Sequence, residues 1–219
     1  MEGRPLSTKI SAPKAAQQKR RAIIDAAEAL FAESGFDAVS VRNIADEAGV
    51  KLSLVTYHFP SKDQIFETVI QRRSAHLSEL RRERLAVRQH SAAFDLRDLV
   101  ECYTSPLLDL INGNDEGWRH YSHLIAQVTQ SRRFAALISQ QYDETAHVYV
   151  DALMKIFPKA DREMAIRALV YMVSIMLGVF SSTGRVETLS GGSYSSEPMV
   201  AFASMTEFIT GGIERILTA

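Results

Sequence analysis

The chain has 219 residues, 46% of them apolar and 23% charged, which allows a substantial core and excludes a disordered protein. A single cysteine, Cys102, excludes an internal disulfide; with no apolar signal-peptide core and no run of about 20 apolar residues, a soluble cytoplasmic protein is expected. The net charge of −1 hides an uneven distribution, since Arg4, Lys9, Lys14, Lys19, Arg20 and Arg21 precede Ala22 against Glu2 alone: either a basic arm drawn to a polyanion or a solvated tail.

From Ala15, apolar residues recur three and four apart at Ile23, Ala26, Ala27, Leu30 and Phe31, predicting an amphipathic helix that Gly35 closes as a left-handed cap. Ser40 is a candidate N-cap for a second helix, with Val41, Ile44, Ala45 and Ala48 inward and Arg42, Asn43, Asp46 and Glu47 outward, ending at Gly49. "KLSLVTYHF" predicts a short third helix, stopped by Pro60. Ser61 followed by Gln64 suggests a capping box that opens a long fourth helix through Ile65, Phe66, Val69, Leu77 and Leu80 to about Gln89. Further helices are expected over 95–111 with a bend at Pro106, then 115–129, 132–157, 161–186 and 197–217, with "TLSGGSYSS" as a linker. Strand-like alternation is nowhere sustained, so the fold class is all-α.

At 100° per residue, the third helix puts Leu52, Val55 and Phe59 on one side and Ser53, Thr56 and Tyr57 on the other. The first set reads as core. The second is a polar face on a helix too short to stand alone, which suits a helix-turn-helix whose second helix enters a major groove. In that geometry His58 and Lys62 flank the helix end near phosphates. Tyr57 packs on the sugar–phosphate backbone, and Leu54 reaches a thymine methyl. The plain alternative is that Tyr57 and His58 are ordinary surface residues.

The stretch "GFDAVSVRNIADEAGVKLSLVTYHFPSKDQIF" resembles the amino-terminal domain of the tetracycline-repressor (TetR) family, through Gly35 with Phe36 after it, Ser40, Val41, Ile44, Ala45, "AGV" at 48–50, "HF" at 58–59 and Lys62. With the basic, flexible arm read from charge set over 1–14, the resemblance implies a DNA-binding domain over 15–62 and a carboxy-terminal domain over 63–219 that dimerises and holds a small-molecule effector. It also implies DNA contacts from Lys51, Leu52, Ser53, Leu54, Thr56, Tyr57, His58 and Lys62. Arg42 would contact a base or phosphate, or else is a solvated charge. Thr56 stands where many members carry tyrosine, and Leu52 where a polar residue is common, so the base pairs read do not carry over.

In the carboxy-terminal part, small residues recur at Ala165, Ala168, Ser174, Gly178 and Ser182 and at Ala201, Ser204, Gly211 and Gly212. They allow close helix approach, either across a two-fold axis in a homodimer or within one subunit. Trp118, Tyr121, Tyr142, Met172 and Met176 are the expected wall of an effector pocket, with His123 or Arg119 as its polar handle; the alternative for each is plain core. His120 and His123 lack a third ligand of metal-site spacing, so no metal or other cofactor is expected. The function expected is a dimeric repressor that binds a near-palindromic operator in double-stranded DNA and is released by a small molecule. The rivals are an enzyme built on the histidine pair and a helical interaction module that has lost DNA binding.

Overall fold

The computed structural model describes residues 12–219, with side chains described from residue 15, so the basic arm expected over 1–14 lies almost wholly outside the described residues. The chain divides into two compact units, residues 1–69 and 70–219, and among the described residues neither contains a strand.

The first unit comprises α1 (Ala12–Ala38), α2 (Val41–Glu47), α3 (Leu52–His58) and the opening turns of α4 (Lys62–Arg88). Gly35 interrupts α1 with φ 76° and ψ 167°. This is not the left-handed cap the sequence suggests but an extended positive-φ conformation open essentially to glycine alone, after which one more turn runs to Ala38. Ser40 caps α2 in a full capping box: its hydroxyl accepts from the Asn43 amide at 3.1 Å while Asn43 Oδ1 accepts from the Ser40 amide at 2.9 Å. Gly49, at φ 63°, turns the chain into α3. Ile23, Ala27, Ile44, Val55, Phe59 and Ile65 are buried around a cluster of Phe31, Phe36 and Phe66, whose ring centroids lie 4.9 to 5.8 Å apart. The offset and edge-on rings are the arrangements aromatic quadrupoles favour.

The second unit holds the remainder of α4 with α5 (Leu96–Ile111), α6 (Gly117–Val128), α7 (Ala135–Ile156, entered through a 3-10 turn at Arg132–Phe134), α8 (Arg162–Phe180), the short α9 (Arg185–Leu189) and α10 (Pro198–Leu217). Pro106 lies inside α5. The central helix is α8, packed against α5, α6, α7 and α10. An 18-residue window within it has a mean hydropathy of 1.7, so among the described residues one helix is long and apolar enough to cross a membrane, although it packs on four neighbouring helices. The helix expected over 161–186 stops at Phe180, because Ser182 (φ 44°) and Gly184 (φ 70°) leave helical space before α9 begins. Arginines on α4 tie it to its surroundings in this unit. Arg84 donates to Asp109 at 2.5 Å and to Ser105 at 2.6 Å, Arg88 to Asp98 at 2.6 Å, and Arg82 to Thr145 at 2.8 Å.

Candidate DNA interface and effector cavity

Val55 and Phe59 anchor α3 from below, at 0% and 2% exposure. Its opposite face is open: Tyr57 is 80% exposed, and Lys51, Ser53 and Thr56 are exposed with it. Leu52, read from periodicity as core, is 41% exposed and lies with the outward set instead, because a helix of seven residues leaves its first turn uncovered. Leu54 is half-buried. The Thr56 hydroxyl is turned back onto its own helix, 3.3 Å from the Leu52 carbonyl and 3.2 Å from that of Ser53, so it offers lone pairs outward rather than its proton.

Ser53, Leu54 and Tyr57 line a shallow cleft with Gly49, Val50 and Lys51 from the turn and Lys19 from α1. Lys19 is the residue that the reading of α3 alone overlooks; the basic run at Lys19, Arg20 and Arg21 was its signal. Arg42 is exposed at the start of α2, with no partner among the described residues.

Two residues expected at phosphates, Lys62 and His58, are engaged within the protein instead of standing free. Lys62 turns inward: its Nζ donates to the Phe36 and Val39 carbonyls, both at 2.9 Å, and sits 4.2 Å from the centre of the Phe36 ring. With two of its three protons committed and an aromatic face beneath, the ammonium fastens the α1–α2 connection to α4. His58 is half-buried between Tyr57 and Phe59, with ring centroids 5.3 and 6.4 Å away, and its Nε2 is buried without a hydrogen bond, so that nitrogen is not aimed at a phosphate.

The second unit contains a cavity of about 300 Å³. Tyr121, Tyr142 and Met176, three of the residues proposed for an effector pocket, line it. The other four expected residues do not. Trp118 is buried against the Arg73 guanidinium, 4.7 Å from its ring centre, and against His76 and Tyr121. Arg119 is exposed and pairs with Glu197 at 3.9 Å. His123 is exposed on the outer side of α6, its pKa lowered by partial burial and by His120. Met172 is buried core, 1% exposed, away from the cavity lining. Trp118 on α6 and Met172 on α8 are buried as periodicity suggests, but periodicity does not say which buried residue borders a void.

The buried charged residue in the cavity lining is Arg81, 2% exposed. Its Nε donates to the Tyr103 carbonyl at 2.8 Å, and its Cζ lies 3.8 Å from the centre of the Tyr103 ring. The signal was available, since Leu77, Arg81 and Leu85 follow one another at helical spacing and all three are buried, placing a cation in an apolar stripe. The Tyr121 and Tyr142 hydroxyls touch each other beside it. Burial pushes both phenols well above their ordinary pKa, while the nearby Arg81 charge pulls the other way.

Family models match both units: one described as bacterial regulatory proteins of the tetR family over residues 23–69, and one described as a tetracyclin repressor-like C-terminal domain over residues 101–212. The chain belongs to the TetR family. Among TetR relatives, the HTH-type transcriptional repressor KstR2 of Rhodococcus jostii is 27% identical over 119 residues, 54% of this chain and 56% of that protein. The HTH-type transcriptional repressor Rv3405c of Mycobacterium tuberculosis is 36% identical over 80 residues, 36% of this chain and 43% of that protein. The chain thus spans about half the length of these relatives. The fatty acid degradation regulator FadR of Bacillus halodurans shares the fold at a TM-score of 0.57 and 18% identity, over 93% of this chain and 98% of that one.

Proposed function

We propose that this TetR-family chain is a DNA-binding transcriptional regulator, cytoplasmic like the DNA it reads, that acts as a homodimer on a near-palindromic operator and represses until a small molecule releases it. The observation that carries the reading is the division of α3: Val55 and Phe59 are buried while Lys51, Ser53, Thr56 and Tyr57 face outward beside Lys19. A polar helical face flanked by cations, without internal partners beyond its own turn, suits base edges and phosphates. The relatives named as repressors favour repression over activation.

Dimerisation is supported by an apolar face on α8 and α10. Ile166, Val170 and Tyr171 are exposed on the first, and Met199, Val200 and Phe208 on the second. Gly178, Gly211 and Gly212 are open, with nothing within 4 Å of the position a side chain would take. Not every small residue serves this face: Ala165 and Ala168 are 0% exposed and pack within the subunit. Exposed apolar patches with small residues let helices of a second copy approach closely.

Release requires the effector to prefer a conformation that binds DNA poorly; shifting the balance from 1:99 to 99:1 takes about 5.5 kcal/mol of preference. A gel-shift titration on the DNA upstream of its own coding sequence tests the reading. A defined complex, at least about 1000-fold tighter than with random DNA, is expected. Equal affinity for both would leave a helical module without operator recognition.

A further inference from the structure

We propose that the cavity of the second unit is built for an apolar monocarboxylic acid whose carboxylate is held by Arg81; this rests on the effector-regulated reading above.

Arg81 differs from three other arginines of α4, each of which meets a carboxylate. Arg73 meets Asp115 at 2.5 Å, Arg84 meets Asp109 at 2.5 Å and Arg88 meets Asp98 at 2.6 Å. Arg81 is more buried than any of these partners, yet no carboxylate among the described residues pairs with it. Of its five N–H donors, Nε is committed to the Tyr103 carbonyl and Nη2 approaches only the weak acceptor Met176 Sδ at 3.6 Å. A buried guanidinium without an anion is costly, and a carbonyl with one aromatic face offsets only part of its charge. The group therefore calls for a planar anion that its fork can grip through two parallel bonds.

The surroundings set the class. Tyr121 and Tyr142 stay protonated at neutral pH, so neither supplies a phenolate counter-charge; with one proton held in their mutual bond, the other hydroxyl can donate to an oxyanion. Leu107, Ile125, Ile138, Leu169 and Val173 are among the apolar residues of the remaining wall, which also holds the uncharged polar Thr129, Gln130 and Ser174 and suits an alkyl or aryl body. The other acidic or basic side chain in the lining is Asp143, exposed and accepting from Ser139 at 2.5 Å. One buried positive charge with a carboxylate at the rim matches a single negative charge; the second charge of a phosphate monoester would meet Asp143 rather than a cation. A volume of about 300 Å³ is at the small end for ligand pockets.

The test is calorimetric titration of the full-length protein with decanoate and naphthoate, each against its primary amide, and with decyl phosphate, alongside gel shifts of the upstream DNA in the same solutions. At least one acid should bind about 10- to 100-fold tighter than its amide. Arg81→Met should close that gap while circular dichroism stays unchanged, and Arg81→Lys should retain part of it. Should Arg81→Met fail to fold, the acid-to-amide contrast on the unaltered protein still decides. Amides binding as tightly as the acids, decyl phosphate binding tighter than decanoate, or no measurable binding by either acid would overturn the assignment. Amides that release DNA would do so while leaving effector control intact; acids held through Arg81 without effect on DNA would support the site and remove the effector role.

Discussion

An ammonium group has three protons to give, and Lys62 gives two of them to the main chain at Phe36 and Val39. It joins the end of α1 and the α1–α2 connection to the start of α4, alongside the Phe36–Phe66 ring contact, so its place beside the reading helix is structural. Lys62→Met should lower stability by about 1–3 kcal/mol, because two carbonyls lose a charged donor. The salt dependence of operator binding should keep its slope. Lys51→Ala and Arg42→Ala should behave in the opposite way: a change in stability within about 0.5 kcal/mol, and a slope of log affinity against log salt reduced by roughly one for each phosphate contact removed. Urea midpoints and gel shifts at several salt concentrations separate the two groups. A fall in the salt slope with Lys62→Met would return that lysine to the DNA.

Helix α1 is broken where only one residue type fits. At φ 76° and ψ 167°, Gly35 kinks the chain, and Phe36 after it packs on Phe31 and Phe66. Gly35→Ala should cost about 1–3 kcal/mol through backbone strain alone, seen as a lower melting temperature with unchanged helix content at 20 °C. The positions of α1 to α4 were legible because each begins or ends on a residue with a local mechanical reason: Gly35, Ser40, Gly49, Pro60. Which face of α3 is covered was legible for Val55 and Phe59, three and four residues being enough to set a stripe. Leu52 was not, since periodicity assigns a direction and cannot report whether anything lies there. The cavity was less legible still. Tyr121 and Met176 reach it while Trp118 and Met172, one helical turn from them, meet packed neighbours, and a void is a property of several helices that no one helix encodes.

At the scale of the whole molecule, α8 and α10 leave a broad apolar surface open, with Phe208 71% exposed and Val200 66% exposed. If a second copy covers it, Phe208→Lys together with Val200→Glu should shift the protein from dimer to monomer in sedimentation velocity. Operator affinity should fall with it, since each half-site would then be bound separately. A dimer that survives both charges would place the interface elsewhere. The guanidinium sealed among leucines and tyrosines has a further consequence for anyone seeking the natural signal. A molecule that neutralises it attaches to the native chain and not to the unravelled one, so occupancy is written directly into heat resistance. Candidate metabolites can therefore be ranked by warming the protein with each in turn, before a single stretch of regulated DNA is known.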